Sequence, residues 1–302
     1  MRVLITGATG LIGQEIVRLC HEKGIEVNYL TTRISKIQQT ENYKGFHWDP
    51  KTQEIDISCF NDVDVIIHLA GATVTKRWTK TYKKEILSSR IEPTKLLIHT
   101  LKSIPHNIKQ VVSASAIGIY PDSLVNYYDQ SYDAYNDAFL GRVVQAWEQA
   151  IDGFSELNIT VSKIRIGLVL SNRGGALQEM VKPIKIGLGA AFGSGKQWQS
   201  WIHIQDLANM FLYVAEKRIH HVFNGVAPNP VSNNELIKTI GKVLNKPVFL
   251  PNIPRFFMKL VLGEMHTILF DSQRVSSKKI ENKGFYFRFH HLRPALADLL
   301  KD

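Results

Sequence analysis

Cysteine is scarce: Cys20 and Cys59 are the only two in 302 residues. That leaves neither a disulfide framework nor a closely spaced pair of metal ligands, so a reducing compartment and no bound metal are expected. Long apolar runs are missing as well. The most hydrophobic late stretch, FFMKLVLGEMHTILF, is broken by Lys259, Glu264 and His266, and no secretory leader precedes the first apolar run, which begins almost at Met1. A soluble, cytoplasmic protein without a membrane partner is the expectation. Acids are outnumbered, 27 Asp and Glu against 37 Lys and Arg. The excess is scattered, and KKEILSSR and SSKKIENKG read as solvated faces, so a nucleic-acid partner is not expected. A basic surface instead raises the local concentration of a polyanionic small molecule. Internal repeats and low-complexity tracts are absent too.

What is present is a core-forming composition, 44% hydrophobic, at a length that favours two lobes. Up to about residue 170, short β-branched runs (RVLIT, EVNYLT, GFHW, DVDVIIHLAG, KQVVSASA, TVSKIRIGLVL) alternate with helix-length amphipathic stretches over 11–23, 80–103 and 137–157. Such alternation predicts an α/β fold with parallel strands and helical crossovers. Pro93 should kink or divide the second helix, because its ring removes a backbone donor. Beyond residue 170 the rhythm changes to Gly-rich loops (SNRGGALQ, GLGAAFGSGKQW), a capped helix in NNELIKTIGKVL and Pro-punctuated segments. The expected boundaries are 1–170 and 171–302, with part of 200–230 returning to the first lobe.

In Gly7-Ala8-Thr9-Gly10-Leu11-Ile12-Gly13, one glycine permits a tight turn, one lets backbone approach a pyrophosphate, and one lets helix and strand pack closely. A strand lies before and a helix after, whose unpaired N–H groups favour phosphate. This predicts a doubly wound, Rossmann-type dinucleotide-binding sheet with a smaller C-terminal, substrate-side lobe. The second strand chooses the dinucleotide. An NAD site places Asp or Glu at its end, whereas here it ends in Thr31, Thr32 and Arg33 and no acid is present. Arginine can pair with a 2′-phosphate and the threonines can donate to it, so NADP(H) is favoured; the other reading of Arg33 is an ordinary surface residue.

These residues, with the blocks HWDP, VIIHLAGA, RWT, SSRIEPTKLL, SASAIGIY, RIGLVL, GGAL, GSGKQWQSWIHIQDL, FNGVAPNPVSNNEL and LGEMHTILFDSQRV, resemble the extended short-chain dehydrogenase/reductases. The narrower resemblance is to the atypical epimerase family, sugar-nucleotide epimerase-like, along essentially the whole chain. It implies that Thr9, Leu11 and Ile12 join the glycines at the cofactor, that Trp48 and Asp49 border the adenine, and that Leu69, Ala70 and Gly71 line the ribose. Ser113 and Arg90 would also face the cofactor, and Ser115 would be the catalytic serine. Each has a plain alternative. Asp49 precedes Pro50 in a turn composition, HLAG can be a buried strand leaving the sheet, the VVSASA hydroxyls can satisfy backbone groups, and Arg90 can pair with a surface acid.

Two departures qualify the resemblance. Extended members use Tyr-x-x-x-Lys for proton transfer, but Phe139 and Val143 stand at those positions, and Tyr213 with Lys217 matches the spacing only by chance. Tyr120 is then the nearest ring hydroxyl after the Ser115 strand, and is the candidate acid unless it is a packed aromatic. In sugar-nucleotide members an arginine grips the diphosphate where Gln199 stands here, while Trp198 and Trp201 add aromatic lining to a substrate pocket or pack between the lobes. His203 and Asp206 read as architectural. The expected function is an NADP(H)-dependent oxidoreductase or epimerase-like enzyme for a small carbonyl or hydroxyl substrate, monomeric or homodimeric. The alternative is a non-catalytic NADP(H)-binding redox sensor or regulator, related to cell division.

Overall fold

The computed structural model describes residues 1–301. In chain order it runs β1 (Arg2–Thr6), α1 (Leu11–Glu22), β2 (Glu26–Thr31), β3 (Gln39–Thr40), β4 (Tyr43–Asp49), β5 (Glu54–Ile55), β6 (Val65–His68), α2 (Lys80–Ser103), β7 (Gln110–Ala116), β8 (Tyr127–Tyr128), α3 (Phe139–Asp152), β9 (Thr160–Ile166) and β10 (Leu168–Leu170). Then follow α4 (Ala176–Lys185), β11 (Trp198–Gln199), β12 (Trp201–His203), α5 (Ile204–Glu216), β13 (Val222–Gly225), β14 (Val231–Ser232), α6 (Asn233–Val243), α7 (Arg255–Leu262), α8 (Thr267–Phe270), β15 (Arg274–Val275), α9 (Lys278–Glu281) and α10 (Leu292–Leu300).

The large sheet has the order β13-β9-β7-β6-β1-β2-β4-β3, parallel except for the edge strands β3 and β5, which pair antiparallel with β4. From β1 the chain winds outward through β2 to β4, then returns to β6 on β1's other flank. That reversal makes the β1/β6 exit a topological switch point, where α/β sheets open a crevice for ligand. Central strands such as VIIH are buried at every position because helices cover both faces. β7 shows this by parity: Ser115 reaches α3, whereas Gln110 reaches the carbonyl of Val214 on α5.

β13 pairs with β9 and α5 packs on α1, so this later part of the chain belongs to the sheet. A second apolar core gathers Leu177, Trp201, Leu236, Ile240 and Leu296, with Leu11 and Ile12 of α1 packed against it. Pro93 does not divide α2, which runs unbroken from Lys80 to Ser103. Ile86, Leu96 and Leu97 anchor the helix to the core on both sides of the proline, and packing outweighs the one lost backbone bond. The expected SNRGGALQ loop also gives way to helix: α4 starts directly after Gly175 and buries Leu177, Val181 and Ile184, a helical spacing.

The C-terminal segment is tied down by Asp206. Its two carboxylate oxygens accept from the backbone N–H groups of Arg288 at 2.8 Å and Phe289 at 3.0 Å. Asp206→Ala would leave these donors unpaired, at about 1–3 kcal/mol each. We expect urea unfolding to show a loss of about 2–5 kcal/mol, with hydrogen exchange accelerated first around 285–300.

Candidate functional site

The glycine turn is built as the motif requires. Gly7 has φ +73°, Gly10 N–H donates to the Gly7 carbonyl at 3.0 Å, and a Cβ on Gly13 would lie 2.2 Å from the Gly7 oxygen. Only glycine fits at 7 and 13. Gly10 then caps α1 with extended backbone and no side chain across the helix end, whose first turn carries no acid. The site is a short cradle of backbone N–H groups with an open face.

A buried hydrogen-bond chain holds this turn against the exit of β6. Leu69 and Ala70 N–H groups donate to Thr6 Oγ1 at 3.0 and 3.1 Å, and Thr6 Oγ1 meets His68 Nδ1 at 2.9 Å. On the far side His68 Nε2 meets Thr94 Oγ1 at 3.1 Å, and that hydroxyl donates to the Arg90 carbonyl at 2.8 Å. The pattern assigns a neutral ring protonated on Nε2. Burial pushes its pKa down to about 4.

Arg90 sits beside the same exit. Its guanidinium donates only to backbone carbonyls, Ile86 at 2.8 Å and Ala72 at 3.2 Å, and lies 5.2 Å from the Trp147 ring. A Cβ on Gly71 would come within 3.3 Å of the Arg90 side chain. No acid pairs with it among the described residues, and burial lowers its pKa to about 10. The surface-acid alternative is therefore not what the structure contains. At the end of β2, Arg33 is exposed, the Thr31 hydroxyl accepts from the Arg33 N–H at 3.2 Å, and Thr32 is exposed.

Several sequence-derived candidates sit elsewhere than expected. Trp48 is core, 3% exposed, and Asp49 caps its own turn by accepting from Lys51 N–H at 2.9 Å. Ser113 is fully buried, with its hydroxyl donating to the Ala114 carbonyl at 3.1 Å. Ser115 donates to Glu148 Oε1 at 2.5 Å and is 2% exposed. The catalytic assignment of Tyr120 is corrected in the same way. Its ring is 1% exposed, its hydroxyl donates to Asn224 Oδ1 at 2.9 Å and accepts from Arg165 at 3.0 Å. Burial raises its pKa, against the opposing pull of Arg165. Trp201 is fully buried with its indole N–H on the Asn229 carbonyl, so it packs the second core and does not line a pocket. Trp198 and Gln199 are half-buried on β11, Thr9 is half-buried in the turn, and Leu69 and Ala70 are half-buried at the β6 exit.

The group that absorbs Ser115 and Tyr120 is a buried ion pair. Arg165 Nε and a terminal nitrogen of the same guanidinium reach the two oxygens of Glu148 at 2.8 and 2.9 Å, a bidentate fork. Burial pushes the Glu148 carboxyl up, but Arg165, with the Ser115 hydrogen bond, outweighs it and holds the carboxyl below its usual range. A signal existed in the sequence: Glu148 lies four residues after Val144 and three before Ile151, on the apolar face of α3. Where Tyr-x-x-x-Lys would act, Phe139 and Val143 join an apolar cluster with Trp78, Ile86, Met265 and Ile268. His203 caps α5 through Nδ1 and stacks on Phe289, as an architectural residue. Among the described residues, no group of three or more His, Cys, Asp or Glu could hold a metal ion, and no helix is long and apolar enough to cross a membrane.

Comparison with known proteins agrees with this fold. The profile of the NAD dependent epimerase/dehydratase family matches residues 3–224, and a domain of unknown function, DUF1731, matches 253–299. An epimerase family protein of Staphylococcus aureus (strain N315) is 36% identical over 302 residues, covering 99% of each chain. The crystal structure of the human epimerase family protein SDR39U1 (isoform 2) with NADPH superposes with a TM-score of 0.85 at 29% identity, covering 100% of both chains. A nucleoside-diphosphate sugar epimerase from Corynebacterium glutamicum superposes at 0.78 with 28% identity, covering 99% of this chain and 58% of that one.

Two buried histidines give the fold a pH dependence. His68 and His203 are both depressed to about 4, chiefly by burial, with Asp298 opposing the shift at His203. Both are neutral when folded, while the unfolded chain takes up their protons below about pH 6.5. Stability is therefore whole above that pH and falls as the pH drops from about 6.5 toward 4. Thermal melts should show this loss, and His68→Gln should flatten the slope between pH 6.5 and 4.5 by about one proton's worth, even if it lowers stability at pH 7.

Proposed function

Since the chain belongs to the NAD dependent epimerase/dehydratase family, we propose that it binds NADP(H) in the crevice beyond β1 and β6. There it moves hydride between that cofactor and a small carbonyl or hydroxyl substrate. The observation that carries this reading is Arg90: a desolvated guanidinium with no acid partner among the described residues, beside Gly71 at the β6 exit. A buried cation is costly without an anion, and a phosphate-bearing ligand supplies one. The unoccluded N-terminus of α1 and the exposed Arg33 fit the same ligand, and the human relative's NADPH supports the phosphorylated form of it.

When bound, the nicotinamide supplies the hydride. The chain supplies the rest: Gly7, Gly10 and Gly13 admit the pyrophosphate, Arg90 and Arg33 offset its charge, and Phe139, Val143, Trp78 and Met265 keep water from the reacting face. Neither Ser115 nor Tyr120 has a hydroxyl free to pass a proton there, since they are committed to Glu148, Arg165 and Asn224, and β7 ends in Ala116. The proton in this reading comes from the substrate. That same loss favours a second reading, an NADP(H)-binding sensor or regulator without catalysis.

Calorimetry should give NADPH a roughly ten- to hundred-fold preference over NADH, because a charge-assisted contact is worth about 1.5–3 kcal/mol. Arg33→Ala should abolish the preference, and Arg90→Gln should weaken both cofactors. Equal affinities in the wild type would remove the NADP(H) assignment. Stopped-flow oxidation of NADPH by aldehydes, ketones and quinones separates the two readings, because a saturated protein that oxidises no NADPH with any of them favours the sensor.

A further inference from the structure

Arginines in this chain follow a simple rule with one exception. Arg2, Arg18, Arg90, Arg142, Arg165, Arg173, Arg255 and Arg288 each donate hydrogen bonds from their side chains. Among the described residues, Arg33, Arg77, Arg218 and Arg293 make none, and all four are exposed. Arg274 makes none either, yet it is half-buried, and its Nε is shut off from solvent with no partner. It pairs with no carboxylate among those residues.

The side chain is nonetheless held. Its guanidinium carbon lies 4.5 Å from the Trp198 ring centre and 5.0 Å from that of Tyr127, its register partner in the β15–β8 ladder. Trp198 is itself fixed, with its indole N–H on the Leu124 carbonyl at 3.0 Å and its backbone N–H on Ser272 Oγ at 3.0 Å. Leu124 and Val125 are 52% and 84% exposed beside it. Two rings therefore orient a cation whose guanidinium donors have no partner among the described residues, with an apolar rim next to it.

The position has a further meaning. The segment 272–275 runs alongside 198–200, joined by Ser200 Oγ to the Gln273 carbonyl at 2.8 Å and Val275 N–H to Ser200 Oγ at 2.9 Å. We propose that Arg274, set between Trp198 and Tyr127, is a binding subsite for a single oxyanion, carboxylate or phosphate, carried on a flat or apolar body. This deepens the functional reading above by naming a substrate class. A guanidinium fork presents paired N–H groups to two oxygens, and the rings and rim accept the body.

The test uses benzoate and phenyl phosphate as probes, with benzamide as the neutral counterpart of benzoate, at fixed ionic strength. Binding is read from the Arg274 Nε–H and Trp198 indole signals in two-dimensional NMR of the full chain, without NADPH. We expect saturable shifts with at least one anion, and none of comparable affinity with benzamide. Whichever anion binds more tightly identifies the carboxylate or phosphate source. Arg274→Met should weaken anion binding about ten-fold or more, as a charge-assisted bond requires, while Arg274→Lys, charged but without a fork, should fall between. Neither anion binding, benzamide binding equally, or an unchanged affinity in Arg274→Met would each overturn the subsite. NADPH fluorescence, measured on the same proteins, should be identical in wild type and Arg274→Met. Anion binding without NADPH binding would overturn the cofactor reading alone, and the reverse would overturn the subsite alone.

Discussion

The Glu148–Arg165 pair is the contact on which the chemistry of this site turns. It sits between α3 and β9, both members are buried, and its fork is complete. An ion pair so placed gains little stability over apolar packing, and becomes a liability once either member is removed. What it does secure is geometry. Ser115 on β7, Tyr120 beyond it, Asn224 on β13 and, through Asn224, the Ser276 carbonyl are all drawn into one satisfied network. Three strands and a helix are thereby fixed in register, and two hydroxyls that might have served catalysis are spent on structure.

That arrangement divides the molecule's polar groups into two kinds. Some are paired within the protein, as in the Thr6–His68–Thr94 chain and the Glu148 network. Others are not: among the described residues Arg90 has only carbonyls, Arg33 has no side-chain partner and Arg274 has only rings. Buried or half-buried cations left without acids are costly in an isolated protein. They make sense where an anion arrives from outside.

Much of this was legible in the residues, and the parts that were not have physical reasons. Strand and helix periods located β1, α1, β2, β6, α2 and β7 closely, because a parallel sheet covered on both faces writes itself as short apolar runs. The glycine turn was equally plain, since only glycine fits at Gly7 and Gly13. Pro93 misled because local backbone chemistry predicts a break that tertiary anchoring overrode. Ser115, Tyr120 and Trp201 misled because sequence position places a side chain near a site without saying which way its polar atom turns. Strand parity sent Ser115 toward α3, where Glu148 was waiting at a spacing that only the folded helix brings into reach.

The missing relay and the unpaired cations belong to one argument. A site that keeps a proton donor can tolerate many substrates, since binding need only bring a carbonyl to the acid. In the proposed reading the reacting face is the apolar cluster of Phe139, Val143, Trp78 and Met265, which offers orientation without proton transfer. Selectivity must then come from binding at a distance, where a fixed cation discriminates strongly between an anion and its neutral analogue because an unpaired charge is left behind when the wrong ligand enters. An anion bound at either cation, Arg90 or Arg274, would stabilise the folded chain by mass action. Ligand binding that stabilises the folded chain serves an enzyme, and it is equally what a sensor needs to report its cofactor. The shared physics explains how one fold can serve either role, with the choice resting on whether a substrate can bring its own proton.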